Sequence, residues 1–191
     1  MGDHKDHNDR NDRKDDADDP EPRAREICLR LLTLAPRTRA QLADALRKRG
    51  IPDTVAASVL DSYADVGLID DAAFARAWVE SRHYSRGLAG RALAAELKQR
   101  GVDSGEIRDA IEELDPAAEA ATARKLVAQK LAGTKGEPAQ ARTRRLAGML
   151  ARKGYPPRLA FRVIREAMEA EGADAAPGEE PYFDDPDIYT E

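Results

Sequence analysis

The sequence predicts an all-α protein of three tandem three-helix repeats, stacked into an elongated and curved array whose hand the residues leave open. Two observations carry this expectation. A glycine after a basic residue recurs in "LRKRGI", "LKQRGV" and "LARKGY", which sets Gly50, Gly101 and Gly154 51 and 53 residues apart. Leucines stand four and eight residues before each glycine, at Leu46 and Leu42, Leu97 and Leu93, Leu150 and Leu146, the face of a helix that ends where the glycine stands. No stretch alternates convincingly with period two, so strands are not expected.

Nine helices follow in order. In the first repeat, residues 23–70, a helix begins near Arg23 and carries Cys28 between Ile27 and Leu29, where a buried, inert thiol is expected. Thr38 and Gln41 offer a capping box for the helix of Leu42 and Leu46; Asp53 starts the third helix, with Leu60 on its apolar stripe and Gly67 as its stop. The second repeat, residues 71–115, opens on Asp70 or Asp71 as cap, and Phe74, Trp78 and Val79 read as core. Its second helix runs through Leu93 and Leu97, and its third starts at Ser104 and carries Ile111. In the third repeat, residues 116–170, Asp115 and Pro116 open a helix that Gly133 stops; the next runs through Leu146 and Leu150, and Pro156-Pro157 start the last, with Ile164 on its stripe.

Charge divides the chain differently from its total. Residues 1–22 hold 4 Lys/Arg against 9 Asp/Glu, and residues 171–191 hold none against 8, so 27 basic and 19 acidic residues lie between them and give that body a net charge of +8 within a chain of −5. Both acidic ends read as disordered tails. A basic body is the electrostatic footprint of a protein that meets nucleic acid or an acidic partner. Two readings of the acidic segment at 171–191 stay open: a solvated tail, or one that folds back over the basic surface and competes with phosphates, with Tyr182, Phe183, Ile188 and Tyr189 as a weak docking motif.

Catalytic and cofactor chemistry finds no constellation. "GTKG" lacks the spacing and preceding strand of a phosphate loop, His4 and His7 lie in the acidic tail without further ligands, and Asp70-Asp71 are explained by capping. Neither an enzyme nor a cofactor is expected. One cysteine permits no internal disulfide, and neither an apolar span nor an export core is found, so a cytoplasmic, non-membrane protein is expected, acting as a monomer.

The basic residues carry the candidate contacts. Arg91 and Lys98 are seven apart and share a face away from Leu93 and Leu97; Arg145 and Arg152 repeat that spacing, and a curved stack can join them into one stripe. Arg100, Arg142 and Lys153 complete the candidate partner- and DNA-binding set. Arg82 falls between Trp78 and Val79 on the helical wheel, where an ion pair holding repeats together competes with ligand contact, and Arg86 shares that ambiguity.

The segments "GLIDDAAFARAWVESR", "LAAELKQRGV" and "RRLAGMLARKGY" resemble the RecX family, regulators of the RecA recombinase. The resemblance runs from about Arg23 to Ala170. It rests on Gly67, Asp70, Asp71, Phe74, Ala75, Trp78, Val79 and Arg82, on Glu96, Leu97 and Gly101, and on Arg145, Leu146, Lys153 and Gly154. It implies tandem three-helix repeats and a role in the groove of the RecA–DNA filament, limiting its growth or promoting its loss and so lowering ATP hydrolysis, strand exchange and co-protease activity. The acidic ends lie outside that resemblance. On charge alone two other readings stay open: a helical module binding DNA or RNA without a recombinase, and a scaffold for an acidic protein.

Overall fold

The computed structural model describes residues 19–174, with nine α-helices and no strand among them. The bulk of both acidic segments, and with it His4, His7 and the aromatic residues from Tyr182 onward, lies outside the described residues. Helices α1 (Pro20–Leu34), α2 (Arg39–Arg47) and α3 (Asp53–Asp65) form the first unit, α4 (Asp71–Arg86), α5 (Gly90–Gln99) and α6 (Ser104–Glu112) the second, and α7 (Pro116–Leu131), α8 (Ala139–Arg152) and α9 (Pro157–Asp174) the third. No helix among them is long and apolar enough to cross a membrane.

Capping chemistry sets most of these boundaries. Thr38 Oγ1 accepts the Gln41 N–H while Gln41 Oε1 accepts the Thr38 N–H, both at 3.2 Å, which is the reciprocal box expected there. Asp70, rather than Asp71, caps α4 by accepting the Ala73 N–H at 2.7 Å. Three edges differ from expectation. Asp19 accepts the Glu21 N–H at 3.0 Å and Pro20 occupies the first helical position, so α1 starts ahead of Arg23. Helix α9 continues past Ala170 to Asp174. Gly133 does not stop α7; it lies in a 3-10 turn, Ala132–Thr134, and the chain reverses at Gly136, with φ +88°.

Each unit has its own core. Leu42, Leu46, Val59 and Leu60 centre the first, Leu93, Leu97, Ala75 and Val79 the second, and Leu146, Leu150, Tyr155 and Ile164 the third. The extensive helix-to-helix contacts all fall inside a unit, so the units join through a few specific atoms.

Those atoms recur in register. The residue before the terminal glycine of one unit offers its carbonyl to the cap position of the preceding unit's second helix: Thr38 Oγ1 donates to Arg100 O at 2.6 Å, and Ala89 N donates to Lys153 O at 2.8 Å. The glycine itself lies against that helix start. A Cβ on Gly101 would overlap Ala40 Cβ, and one on Gly154 would lie 2.7 Å from Ala92 Cβ and 3.0 Å from Ala89 O. Both glycines also have φ near +80°, a conformation that penalises any side chain. Around the second joint, Tyr155 Oη donates to Gly87 O at 3.2 Å, Lys153 Nζ to Arg86 O at 2.6 Å, and His83 touches Leu88 O and Thr122 Oγ1. Burial pushes the Tyr155 phenol up to about 12, so it stays a neutral donor across the physiological range.

Both outer ends of the array are closed by the same logic. In the first unit no preceding helix lies among the described residues, and Arg23 Nη2 donates to the corresponding carbonyl, Arg49 O, at 3.3 Å. In the third, the residue twelve before the glycine is Arg142, which lies inside α8 with its N–H bonded to Pro138 O at 3.1 Å. A fourth unit would find no free cap there.

Alanine substitution separates turn from joint. Gly50 has φ +75° but nothing within 4 Å of an added Cβ, so Gly50→Ala is expected to cost about 1–2 kcal/mol of left-handed strain. Gly154→Ala adds overpacking of roughly 1–3 kcal/mol to that strain. Thermal unfolding of the two variants is expected to place Gly154→Ala clearly below Gly50→Ala; equal melting temperatures would remove the joint from the stability of the fold.

Candidate partner and nucleic-acid interface

Three cations without an ion pair among the described residues meet at the boundary between α5 and the third unit. Arg91, in the first turn of α5, lines a trough of about 670 Å³ whose other walls come from α8 and α9: Gln140, Thr143, Arg144, Ala147, Gly148, Ala151, Tyr155, Pro157, Ala160 and Phe161. The small side chains of α8 make the floor, and Phe161 stands 55% exposed along the edge. An added Cβ on Gly148 would sit 3.5 Å from Arg152 Nη1, which places that guanidinium over the same surface. Arg91, Arg144 and Arg152 form no ion pair among the described residues.

Glycine register explains the pairing. Arg91 and Arg144 each precede their terminal glycine by ten residues, so they are the equivalent positions of successive second helices. Arg145 and Arg152 share the seven-residue spacing of Arg91 and Lys98 but are shifted by one position from them. Counting back from each glycine would have found Arg144, which spacing alone missed.

Lys98 belongs to the other joint. It lines a hollow between the first two units with Arg39, Asp71, Asp103 and Glu106. Burial raises the Asp71 carboxyl above its usual range, against the lowering effect of the Arg39 N–H that it accepts at 2.8 Å; Glu106 is raised by burial first and by Asp71 second. Local acids therefore offset Lys98, and one continuous stripe from Lys98 to Arg152 does not form.

Several other candidates are occupied within the fold. Arg142, expected on the contact surface, is instead 15% exposed, ion-paired to Glu171 and bonded through Nε to Thr134 Oγ1 at 2.9 Å. Arg145 pairs with Glu137, and Lys153 binds the Arg86 carbonyl across the joint.

Trp78 departs most from its expected role. Like Phe74, it is half-buried and packs against the second core rather than inside it; the two rings stack at 5.7 Å between centroids, and the guanidinium carbons of Arg82 and Arg100 lie 4.1 and 3.6 Å from the indole centroid. Its Nε1–H donates to Glu96 Oε2 at 2.9 Å, and Glu96 also takes Arg86 at 3.1 Å and Arg82 at 3.9 Å. Arg82 and Arg86 thus tie α4 to α5 inside the second unit; for Arg82 the ion pair is formed within a repeat and not between repeats. This cluster forms one wall of a second trough, about 570 Å³, that also runs along Leu32, Pro36, Arg37 and Leu68 of the first unit. Among the described residues no group of three His, Cys, Asp or Glu side chains is arranged to hold a metal.

Glu96 is the keystone of the tryptophan cluster, because its loss leaves an indole N–H and two guanidiniums without their acceptor. Glu96→Ala is expected to cost about 1–3 kcal/mol, lowering the melting temperature by several degrees. Emission from the single tryptophan should move to longer wavelength as the Arg sandwich loosens. Unchanged emission and stability would show that Glu96 does not hold the cluster.

Comparison with known proteins agrees with this architecture unit by unit. Residues 24–62, 70–111 and 117–164 match the models of the first, second and third three-helix domains of RecX. Regulatory protein RecX of Thermobifida fusca (strain YX) is 63% identical over 152 residues, covering 80% of this chain and 82% of that protein. Its counterpart from Streptomyces lividans is 59% identical over 155 residues, covering 81% and 82%. Among solved structures, RecX from Lactobacillus salivarius superposes with a TM-score of 0.75 at 17% identity, over 78% of this chain and 97% of that one, which shows the shared fold. A second RecX crystal structure gives 0.73 at 20% identity, over 87% and 81%. With three successive domain models matched in order and relatives this similar over most of their length, the chain belongs to the RecX family of regulatory proteins.

Proposed function

We propose that this chain regulates a RecA recombinase by binding the RecA–DNA filament and lowering its ATPase, strand-exchange and co-protease activities in the cytoplasm during DNA repair and the SOS response. It acts without catalytic chemistry of its own. The observation that carries the reading is the high identity to regulatory proteins named RecX, joined to a face with the charge that such a target requires. A filament on DNA is polyanionic and helically grooved, so a linear array of basic units can follow it through many individually weak contacts.

Arg91, Arg144 and Arg152 are the proposed contact centre, with Arg145 beside them and Lys98 and Arg100 at the other joint. The equivalent placement of Arg91 and Arg144 on successive second helices lets one filament repeat meet two units at once. Naked DNA is a weaker, salt-dependent ligand for the same face. Base stacking contributes little, because Trp78 and Phe74 are engaged with Arg82, Arg100 and the second core.

The test is reversal of Arg91, Arg144 and Arg152 to Glu, with helicity checked by circular dichroism. RecA ATPase on single-stranded DNA is expected to need at least about tenfold more of the variant for half-inhibition, the equivalent of about 1.4 kcal/mol of affinity. On duplex DNA alone the slope of log K against log salt should become shallower by about 0.9 for each phosphate that the variant no longer neutralises. Unchanged inhibition by the folded variant would move the contact surface elsewhere. Inhibition that requires enough protein to coat the DNA would favour a module acting on nucleic acid alone.

A further inference from the structure

The trough between α8 and α9 is apolar on its floor, basic on its rim, and unfilled by any helix of the array. Ala147, Gly148, Ala151 and Ala160 leave a shallow bed beside an exposed Phe161, while Arg91 and Arg144 overhang it. Beyond α9 the chain continues as "AAPGEEPYFDDPDIYTE", which offers Tyr182, Phe183, Ile188 and Tyr189 among six carboxylates and no base. Its chemistry is the complement of the trough: aromatic rings for the bed and acids for the arginines.

Geometry allows the match. Helices α8 and α9 are antiparallel, with Arg142 on Glu171 and Thr143 on Met168, so the trough runs back from the end of α9 toward Phe161. The distance along α9 from Asp174 to Phe161 is about 20 Å at 1.5 Å per residue. The eight residues from 175 to 182 span up to about 26 Å when extended, enough to bring Tyr182 and Phe183 to Phe161.

We propose that residues 179–189 dock in the trough between α8 and α9, with Tyr182 and Phe183 on the alanine and glycine floor and the neighbouring carboxylates on Arg91 and Arg144. The docked segment occupies the face assigned above to the filament and to DNA, and that consequence rests on the proposed function. Binding by a polyanion must displace it. With an effective concentration on the order of 1 mM and a docking Kd of about 0.1 mM, displacement weakens DNA binding about tenfold. Glu171 is not part of this device, because it is held by Arg142 within the third unit.

The docking itself can be measured without RecA or DNA. Cys28 is buried and burial raises its thiol, so a cysteine introduced by Pro186→Cys in the full chain takes a nitroxide label selectively. At low salt the amide signals of Gly148, Ala151 and Phe161 are expected to lose intensity, while those of Leu42 and Leu46 in the first unit do not. High salt, or Tyr182→Ser with Phe183→Ser, should restore them. Uniform intensities, loss confined to the last turn of α9, or loss that persists in the double variant would overturn the proposal. A separate titration with a short DNA duplex reads the consequence: the double variant is expected to bind about tenfold more tightly at low salt. Confirmed docking with equal DNA affinities would leave the seat in place and overturn the assignment of that face to DNA.

Discussion

A backbone turn with φ near +80° ends the second helix of every unit, and at two of the three sites it also brings one unit's backbone against the start of the preceding unit's second helix. Only a residue without a Cβ satisfies both demands at Gly101 and Gly154. The close approach is what allows Thr38 and the Ala89 amide to reach the carbonyls of Arg100 and Lys153. These bonds satisfy helix-start donors and loop carbonyls that would otherwise need water. Stacking therefore combines backbone proximity with burial of Ala89, at the start of α5, in the core of the third unit.

The same contacts differ at the two outer ends of the described array. Arg23 takes the carbonyl at one end, and the extra turn of α8 ahead of Arg142 removes the vacant cap at the other. Nucleating a repeat with left-handed glycines creates sticky ends, and the terminal units of such arrays need distinct chemistry. Here that chemistry is one long arginine and the added helical residues from Ala139 to Ala141.

The repeat was legible in the sequence because leucine spacing and the terminal glycines are local signals. Helix ends were legible where Thr38, Asp70 or Asp115 supplies a side-chain cap, and less so at Gly133, where the chain ran on into a 3-10 turn. The joint was not legible, since proximity of Gly154 to Ala92 joins residues far apart in sequence. Trp78 was misread for a related reason: helical spacing places it beside the apolar arc, but its indole is claimed by Glu96, Arg82 and Arg100, and two of those lie on or beside α5. Arg142 shows the converse error. Its charge suggested a ligand contact, and only Glu171 on the antiparallel helix reveals it as structural. Cations distributed along a helix say little about function until partners from other elements are known.

Amide exchange at Ala89 reads the joint with little interference. This residue caps α5, so its N–H has no partner within its own helix, and Lys153 O, 64 residues away, is its acceptor. If units are locked through the glycine contact, the Ala89 amide will exchange on the slow timescale of the buried α5 amide of Leu97 and will lose that protection in Gly154→Ala. Exchange at the rate of an exposed amide in the unsubstituted protein would show that the second and third units are not held together in this way.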